Sequence, residues 1–390
     1  MAASPLTVLY MLSGLAIEGP LGGPERLTAA LVQALDPRVI KPVVCGLWDY
    51  GTPYDQKWVK LLRNQGIETF LAAPWQEHRP LQAFFNAYQQ VKKTPLPRVD
   101  IIHSQSQFGD VMALLLKRSL GARCLVRSVH EEVEWIKRPA RRLLLTHFYL
   151  PARFDCEIGI SDEIARRLNR RPVARMLGRQ SPAIYNSVHI ERIEQRSRCD
   201  RAAKRQSLGI PPGASLVCSI GRLATQKGYA ILLQAAAQIK AARPDIYFVI
   251  AGEGPERARF EALHQQLGLG NTLRFLGARE DPEEIISAAD LLVQASLWEG
   301  LPTVIMESMV IGTPVAATAL PGMRQLIGDN QRGWLTPVHD PDGLAQGILQ
   351  ALEADASTKA ERTRQAGIYI RTHYSIERVA AQHTALYQYL

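Results

Sequence analysis

Short runs rich in β-branched residues and leucine alternate with helix-length stretches, twice over, along this 390-residue chain. LTVLYML (6–12), VIKPVVCG (39–46), VDIIHS (99–104), RCLVRS (123–128) and FDCEIGIS (154–161) form one series. ASLVCSIGR (214–222), DIYFVIAGEG (245–254), NTLRFLG (271–277), ADLLVQAS (289–296) and TPVAAT (313–318) form a second, after a Pro- and Arg-rich middle. Strands spaced by helical patterns are joined by crossovers, so the alternation predicts parallel sheets covered by helices. Two doubly wound α/β domains follow, and the length also exceeds one ordinary domain. The boundary is expected near residue 195, between IYNSVHI (184–190) and the strand at 214, giving domains 1–195 and 196–372. The closing SIERVAAQHTALYQYL has no strand after it, so 373–390 is expected to form a helix that packs back on the N-terminal domain.

Composition narrows the class. Hydrophobic residues make up 46% and charged residues 21%, with no low-complexity tract, which predicts a globular chain throughout. The five cysteines are scattered and show no C-x-x-C spacing, so they are expected to be reduced and mostly buried. No basic residue precedes the first apolar run, and no apolar stretch approaches the roughly 18 residues of a membrane span. A cytoplasmic protein is the expectation. The net charge of +9 implies an anionic partner: nucleotide phosphates, nucleic acid or an acidic bilayer.

The most informative stretch is SLWEGLPTVIMESMVIGTPVAAT (296–318), which sets Glu299 and Glu307 in an otherwise apolar run. Pro302 suits the first turn of a helix and Gly312 its end, so a short helix is expected over 302–311, with Glu299 in the loop before it and Glu307 inside it. A glycosidase needs two carboxyls about 5 to 9.5 Å apart; eight helical residues separate side chains by about 12 Å. The local structure favours an anion site instead, because the N–H groups of Gly300 to Thr303 fall at a helix N-terminus. With a nucleoside diphosphate there, the Glu307 carboxylate is placed to accept hydrogen bonds from two ribose hydroxyls, and Glu299 to face the leaving sugar. The alternative is a pair of solvated acids.

GRLATQKGY (221–229) follows the strand SLVCSI and brings Arg222 and Lys227 to a strand's C-terminal edge, where open α/β sheets bind ligands. An arginine fork and a lysine point charge there would neutralise a diphosphate leaving group. Solvated surface cations are the other reading.

Taken together, the G-R-L…K-G turn, A-G-x-G-P (251–255), F-x-G (275–277) and E-G-x-P-x-x-x-x-E-x-x-x-x-G-x-P-V (299–315) resemble the retaining glycosyltransferase family 4. The resemblance covers the second domain. In the first domain GGPER (22–26) is similar to the family's glycine-rich loop, SVHE (128–131) to its central histidine, and IYNSVHI to its entry into the second domain. Gly300-Leu301-Pro302 stands where phenylalanine usually follows the glutamate, a variation the family accepts.

The resemblance implies a GT-B architecture: two facing Rossmann-like domains with a cleft between them. It implies that Arg222 and Lys227 bind the donor diphosphate, with Gly221 at their turn, that Glu307 holds the ribose and Glu299 the transferred sugar. The backbone of Phe275, Leu276 and Gly277 would meet the base, and Gly300, Leu301, Pro302 and Thr303 would line sugar and phosphates. Gly22 and Gly23 would let backbone approach the donor, and His130 would face the donor sugar; a tight turn and a buried structural histidine are the other readings. The implied reaction moves a hexose-type sugar, with retention, from a nucleoside-diphosphate sugar to a polysaccharide, glycolipid or small-molecule acceptor. No metal is expected, since no D-x-D dyad follows any of the strands expected above and there is no His/Cys cluster; positive charge and helix-end amides stabilise the departing phosphate instead.

One segment points further. In EWIKRPARRLLLTHFYLPAR (134–153), Lys137, Arg138, Arg141 and Arg142 precede an apolar, aromatic run. It reads as an ordinary helix with one core face, or as an amphipathic helix that docks on anionic lipid. Among competing classes, a Rossmann dehydrogenase lacks its G-x-G-x-x-G after the first strand. A nucleotide-sugar epimerase of the same architecture is the alternative. A nucleic-acid binder leaves both glutamates unexplained.

Overall fold

The computed structural model describes residues 4–17, 23–130 and 144–390. It divides into two compact units, one formed by Met1–Ser187 with Ile376–Leu390, the other by Val188–Ser375. The first holds a six-stranded sheet of β1 (Leu6–Leu12), β2 (Ile40–Asp49), β3 (Glu68–Pro74), β4 (Ile101–Ser104), β5 (Cys124–Val129) and β6 (Cys156–Gly159). Its order is β3-β2-β1-β4-β5-β6, with every neighbour parallel. The second sheet contains β7 (Ser215–Ile220), β8 (Ile246–Ala251), β9 (Leu273–Gly277), β10 (Leu291–Gln294), β11 (Val315–Thr318) and β12 (Trp334–Thr336), ordered β12-β11-β10-β7-β8-β9 and again parallel.

Strands buried on both faces have no polar face to show, and β4, β10 and β11 are buried at every residue. That is why these segments read as unbroken runs. Two strands were not among those expected, β3 and β12. Each is the edge of its sheet, paired on one side only, and β12 has just three residues.

The junction between the units falls at 187/188, not at 195, because the Ile190–Arg196 helix belongs to the second unit. His189 caps that helix by accepting from the Arg192 N–H (3.4 Å). At the other end the Arg196 guanidinium pairs with Glu283 (3.1 Å) on the Pro282–Ala288 helix. The second unit likewise extends to 375, where the Val188 N–H donates to the Tyr374 carbonyl at 2.9 Å.

The Ile376–Tyr389 helix returns to the first unit. Ile376, Val379, Ala380 and Tyr387 share a core with Ala29, Leu31 and Val32 of the Gly23–Ala34 helix. Burying each large apolar side chain contributes about 1.5–3 kcal/mol, enough in sum to hold a helix with no sheet of its own. All five thiols are free; Cys45, Cys156 and Cys218 are buried, and burial pushes the Cys156 thiol up to about 12. Among the described residues no helix is long and apolar enough to cross a membrane.

In both sheets the strand order reverses at the centre, between β1 and β4 and between β7 and β10. Connections leaving two adjacent parallel strands toward opposite sides open a crevice at their C-terminal ends.

Candidate functional site

At the second unit's reversal point, β7 runs into Gly221 and Arg222, and β10 into the loop that carries Glu299. The two loops are tied together. Lys227 Nζ donates to Glu299 Oε2 at 2.6 Å, with both side chains mostly withdrawn from solvent, and the Ser296 hydroxyl donates to the same oxygen at 3.3 Å. Gln226 Nε2 donates to the Trp298 carbonyl (3.1 Å), while the Leu297 N–H donates to the Gln226 carbonyl (2.8 Å). From below, Gln294 Nε2 donates to the Ile220 carbonyl (2.8 Å) and the Thr318 hydroxyl to the Ser296 carbonyl (2.7 Å). Arg222 is exposed, with no ion pair among the described residues.

The helix after this loop runs Thr303–Ile311, with Pro302 as its extended cap residue (ψ 120°) and Gly312 at its end. Proline offers no capping side chain, so the first amides, from Thr303 to Ile305, have no partner inside the helix. They present a partial positive charge beside the Lys227–Glu299 pair. Gly300, Leu301 and Pro302 are buried and Thr303 is half-buried; Glu307, one turn into the helix, is 4% exposed.

Two glycines set how closely these loops approach. Gly228, at φ 65° between Lys227 and the Tyr229–Ala242 helix, has no room for a side chain: a Cβ would lie 1.9 Å from the Ala295 carbonyl oxygen. Gly322 supports the other side, where a Cβ would lie 1.6 Å from the Gly300 carbonyl oxygen.

On the β8–β9 side, Ala251 pairs with Gly277 while Ile250 pairs with Phe275, so Leu276 is an extra residue bulged out of the ladder. The Gly252 N–H donates to the Gly277 carbonyl (2.8 Å). A bulge beside a strand's C-terminal end leaves backbone groups of Leu276 outside the sheet ladder.

In the first unit, His130, which is half-buried, directly follows β5, and Gln105 directly follows β4. His130 Nε2 lies 2.9 Å from Gln105 Oε1. Burial, and then the Arg127 guanidinium, hold the His130 imidazole down at about 4, so it is neutral at pH 7. A cavity of about 30 Å³ in this unit is lined by Thr28, Gln105, Ser128, His130, Asn186 and His383, together with apolar side chains. Gly23 opens the Gly23–Ala34 helix with nothing within 4 Å of where a Cβ would stand. Gly22 lies outside the described residues, as do Lys137, Arg138, Arg141 and Arg142.

Sequence comparison decides the family. The Glycosyltransferase Family 4 profile matches residues 21–192, and that of Glycosyl transferases group 1 matches 200–369. The chain belongs to glycosyltransferase family 4. This family 4 chain is 34% identical over 158 residues to the lipopolysaccharide core biosynthesis glycosyltransferase LpsE of Rhizobium meliloti, covering 40% of the chain and 45% of that protein. It is 34% identical over 198 residues to a D-inositol 3-phosphate glycosyltransferase of Corynebacterium urealyticum, covering 48% and 46%. The matches thus span about half the length of these curated relatives. The crystal structure of Anabaena HepE in complex with UDP and glucose superposes with a TM-score of 0.79 at 21% identity, over 99% of this chain and 100% of that one. That likeness is one of fold, the two-domain α/β GT-B fold.

Of the residues the motifs single out in this family 4 chain, Gly221, Lys227, Glu299, Gly300, Leu301, Pro302 and Thr303 gather on the two loops at one sheet edge. Arg222 stands on the same edge without joining the ion pair, and Phe275 to Gly277 sit one strand beyond β8. The pairing of Lys227 with Glu299, 72 residues away, was not read from sequence, where Lys227 was grouped with Arg222. Gly322 and Gln105 were also missed. The Pro-Gly step at 321–322 was a legible signal for a close approach; a lone glutamine after a four-residue strand was not.

Proposed function

We propose that this chain is a glycosyltransferase that moves a hexose-type sugar, with retention and without a metal, from a nucleoside-diphosphate sugar to a glycan, glycolipid or small-molecule acceptor. The observation that carries the reading is the Lys227–Glu299 ion pair, which locks both motif loops beside an uncapped helix end at the sheet's reversal point. An ammonium and uncapped helix-end amides carried by these two tied loops suit a diphosphate that gains charge as it departs. Lys227, Arg222 and the amides from Thr303 onward bind the phosphates, Glu307 the ribose, the Phe275–Gly277 backbone the base, and Glu299 orients Lys227 and meets the transferred sugar. His130, neutral, hydrogen-bonds a sugar hydroxyl. The UDP found with HepE supports a nucleotide donor, and the names of the two relatives support a saccharide or polyol-phosphate acceptor.

Thermal unfolding of the full chain with UDP, GDP, ADP or TDP tests the donor assignment. A nucleotide at 100 times its Kd stabilises by about 2.7 kcal/mol, so one base should raise Tm well beyond the others. Glu307→Ala should abolish most of that rise. An unchanged rise in Glu307→Ala would remove the ribose assignment. Transfer with retention is then read from the anomeric configuration of the product by NMR.

Gly322→Ala probes the loop without touching any proposed contact. A Cβ 1.6 Å from the Gly300 oxygen forces the Glu299–Pro302 loop outward. The expected result is a donor KM raised about tenfold or more, equivalent to ~1.4 kcal/mol, with the circular dichroism spectrum unchanged. A wild-type KM would show that the loop does not bear on the donor.

A further inference from the structure

His130 ends a buried chain of polar side chains that starts on the C-terminal helix. Tyr387 of that helix places its hydroxyl 2.6 Å from His103 Nδ1 on β4 and 2.9 Å from the Tyr10 hydroxyl on β1. His103 Nε2 lies 2.9 Å from the Ser128 hydroxyl and 3.1 Å from Gln105 Nε2. Gln105 Oε1 then meets His130 Nε2 at 2.9 Å. His383 adds a ring nitrogen 3.3 Å from the Tyr387 hydroxyl. His103, Tyr10, Tyr387, Gln105 and His383 are all buried.

Donor and acceptor roles propagate along such a chain. An amide nitrogen only donates, so with Gln105 Nε2 toward His103 the facing His103 Nε2 is an acceptor. A neutral imidazole has one N–H, so the His103 proton is on Nδ1 and is donated to the Tyr387 oxygen. The Tyr387 proton goes in turn to the Tyr10 oxygen or to His383 Nδ1. At the other end Gln105 Oε1 only accepts, so His130 carries its proton on Nε2. Its Nδ1 has no partner among the described residues and offers a lone pair. The reverse set of roles is also self-consistent: a rotated Gln105 amide would put the His130 proton on Nδ1 and turn a hydrogen-bond acceptor into a donor.

We propose that Gln105 is a positioning residue that fixes the proton of His130 on Nε2, and that Tyr387, through His103, holds Gln105 in the orientation that does so. The His130 Nδ1 lone pair then accepts a hydrogen bond from a substrate hydroxyl, which rests on the reading above that His130 meets the substrate. A helix nearly 260 residues downstream of His130 thereby sets which hydroxyl geometry the histidine accepts. Burial keeps His103 and His383 neutral, so the roles do not change around pH 7.

Long-range proton–nitrogen NMR of the 15N-labelled full chain reads each histidine's tautomer directly. His130 is expected with its proton on Nε2 in the wild type and in Gln105→Glu, whose carboxylate still accepts. Gln105→Leu is expected to give a mixture of tautomers. Tyr387→Phe removes the acceptor for the His103 Nδ1 proton, and the reversed roles should move the His130 proton to Nδ1. With Gln105→Leu, kcat should fall about tenfold, the effect of losing one hydrogen bond of ~1.4 kcal/mol, with donor KM within about threefold; Gln105→Glu should recover most of it. A wild-type His130 protonated on Nδ1, or a His130 signal unmoved in both Gln105→Leu and Tyr387→Phe, overturns the proposal. His130→Ala separates the two readings: full activity there with the tautomers behaving as stated removes the substrate contact and leaves the relay standing.

Discussion

Lys227→Ala is expected to lower kcat/KM for the donor by about 10²–10³-fold, the range seen when a single preorganised donor to developing charge is removed. The variant loses twice. On the proposed donor site the ammonium that would meet the departing diphosphate is gone, and Glu299, which accepts from Lys227 at 2.6 Å, is left as an uncompensated carboxylate with a side chain only 14% exposed. That carboxylate then repels the phosphate the lysine attracted. The double variant Lys227→Ala/Glu299→Gln should therefore bind nucleotide more tightly than Lys227→Ala alone, while its kcat stays low. Neighbours in one ion pair are the case in which single-variant effects fail to add. Glu299→Gln by itself keeps the cation and should cost less than Lys227→Ala. Initial rates with all four proteins give the coupling, and a Lys227→Ala enzyme within threefold of wild type would detach this pair from the chemistry.

The largest effect on stability is expected at Arg127. Its guanidinium, 1% exposed on β5, pairs with Asp110 and with Glu157, both at 2.8 Å, and Arg171 donates to the same Glu157 oxygen at 2.9 Å. Arg127→Met leaves Glu157 with Arg171 but takes from buried Asp110 the guanidinium it meets at 2.8 Å, and breaking a buried pair in this way costs about 3–5 kcal/mol. For a unit of this size that corresponds to a Tm lower by roughly 6–20 °C. Calorimetry measures it; a shift under two degrees would mean that solvent or the neighbours re-satisfy the acids. A second consequence is specific to Arg127. Its charge is one of the two causes that hold His130 below its ordinary value, so the imidazole of Arg127→Met should titrate nearer to 6.5.

Much of this was legible in the sequence because parallel strands buried on both faces leave little choice of residue. Ten of the strands announce themselves as apolar runs, and Pro302 and Gly312 bracket the Thr303–Ile311 helix to within one residue. Two edge strands escape, β3 and β12, whereas the other two edges, β6 and β9, are legible; β12 offers only three residues to read. The domain junction was displaced by one short helix that buries Ile193 and pairs Arg196 with Glu283, residues 87 apart. Motif residues were legible as types but not as pairs: nothing local joins Lys227 to Glu299, or Tyr387 to His103 across 284 residues. Such pairings are set by strand order, which the sequence expresses only through the whole fold.

The central claim is that one diphosphate site lies at the β7–β10 reversal point. A crystal structure of the full chain grown with the nucleoside diphosphate that most raises its Tm tests this most directly. The expected density places phosphate oxygens about 2.7–3.2 Å from Lys227 Nζ and from the amides that open the Thr303–Ile311 helix, with both ribose hydroxyls on the Glu307 carboxylate. Nucleotide bound elsewhere, with Lys227 and those amides facing only water, would contradict it.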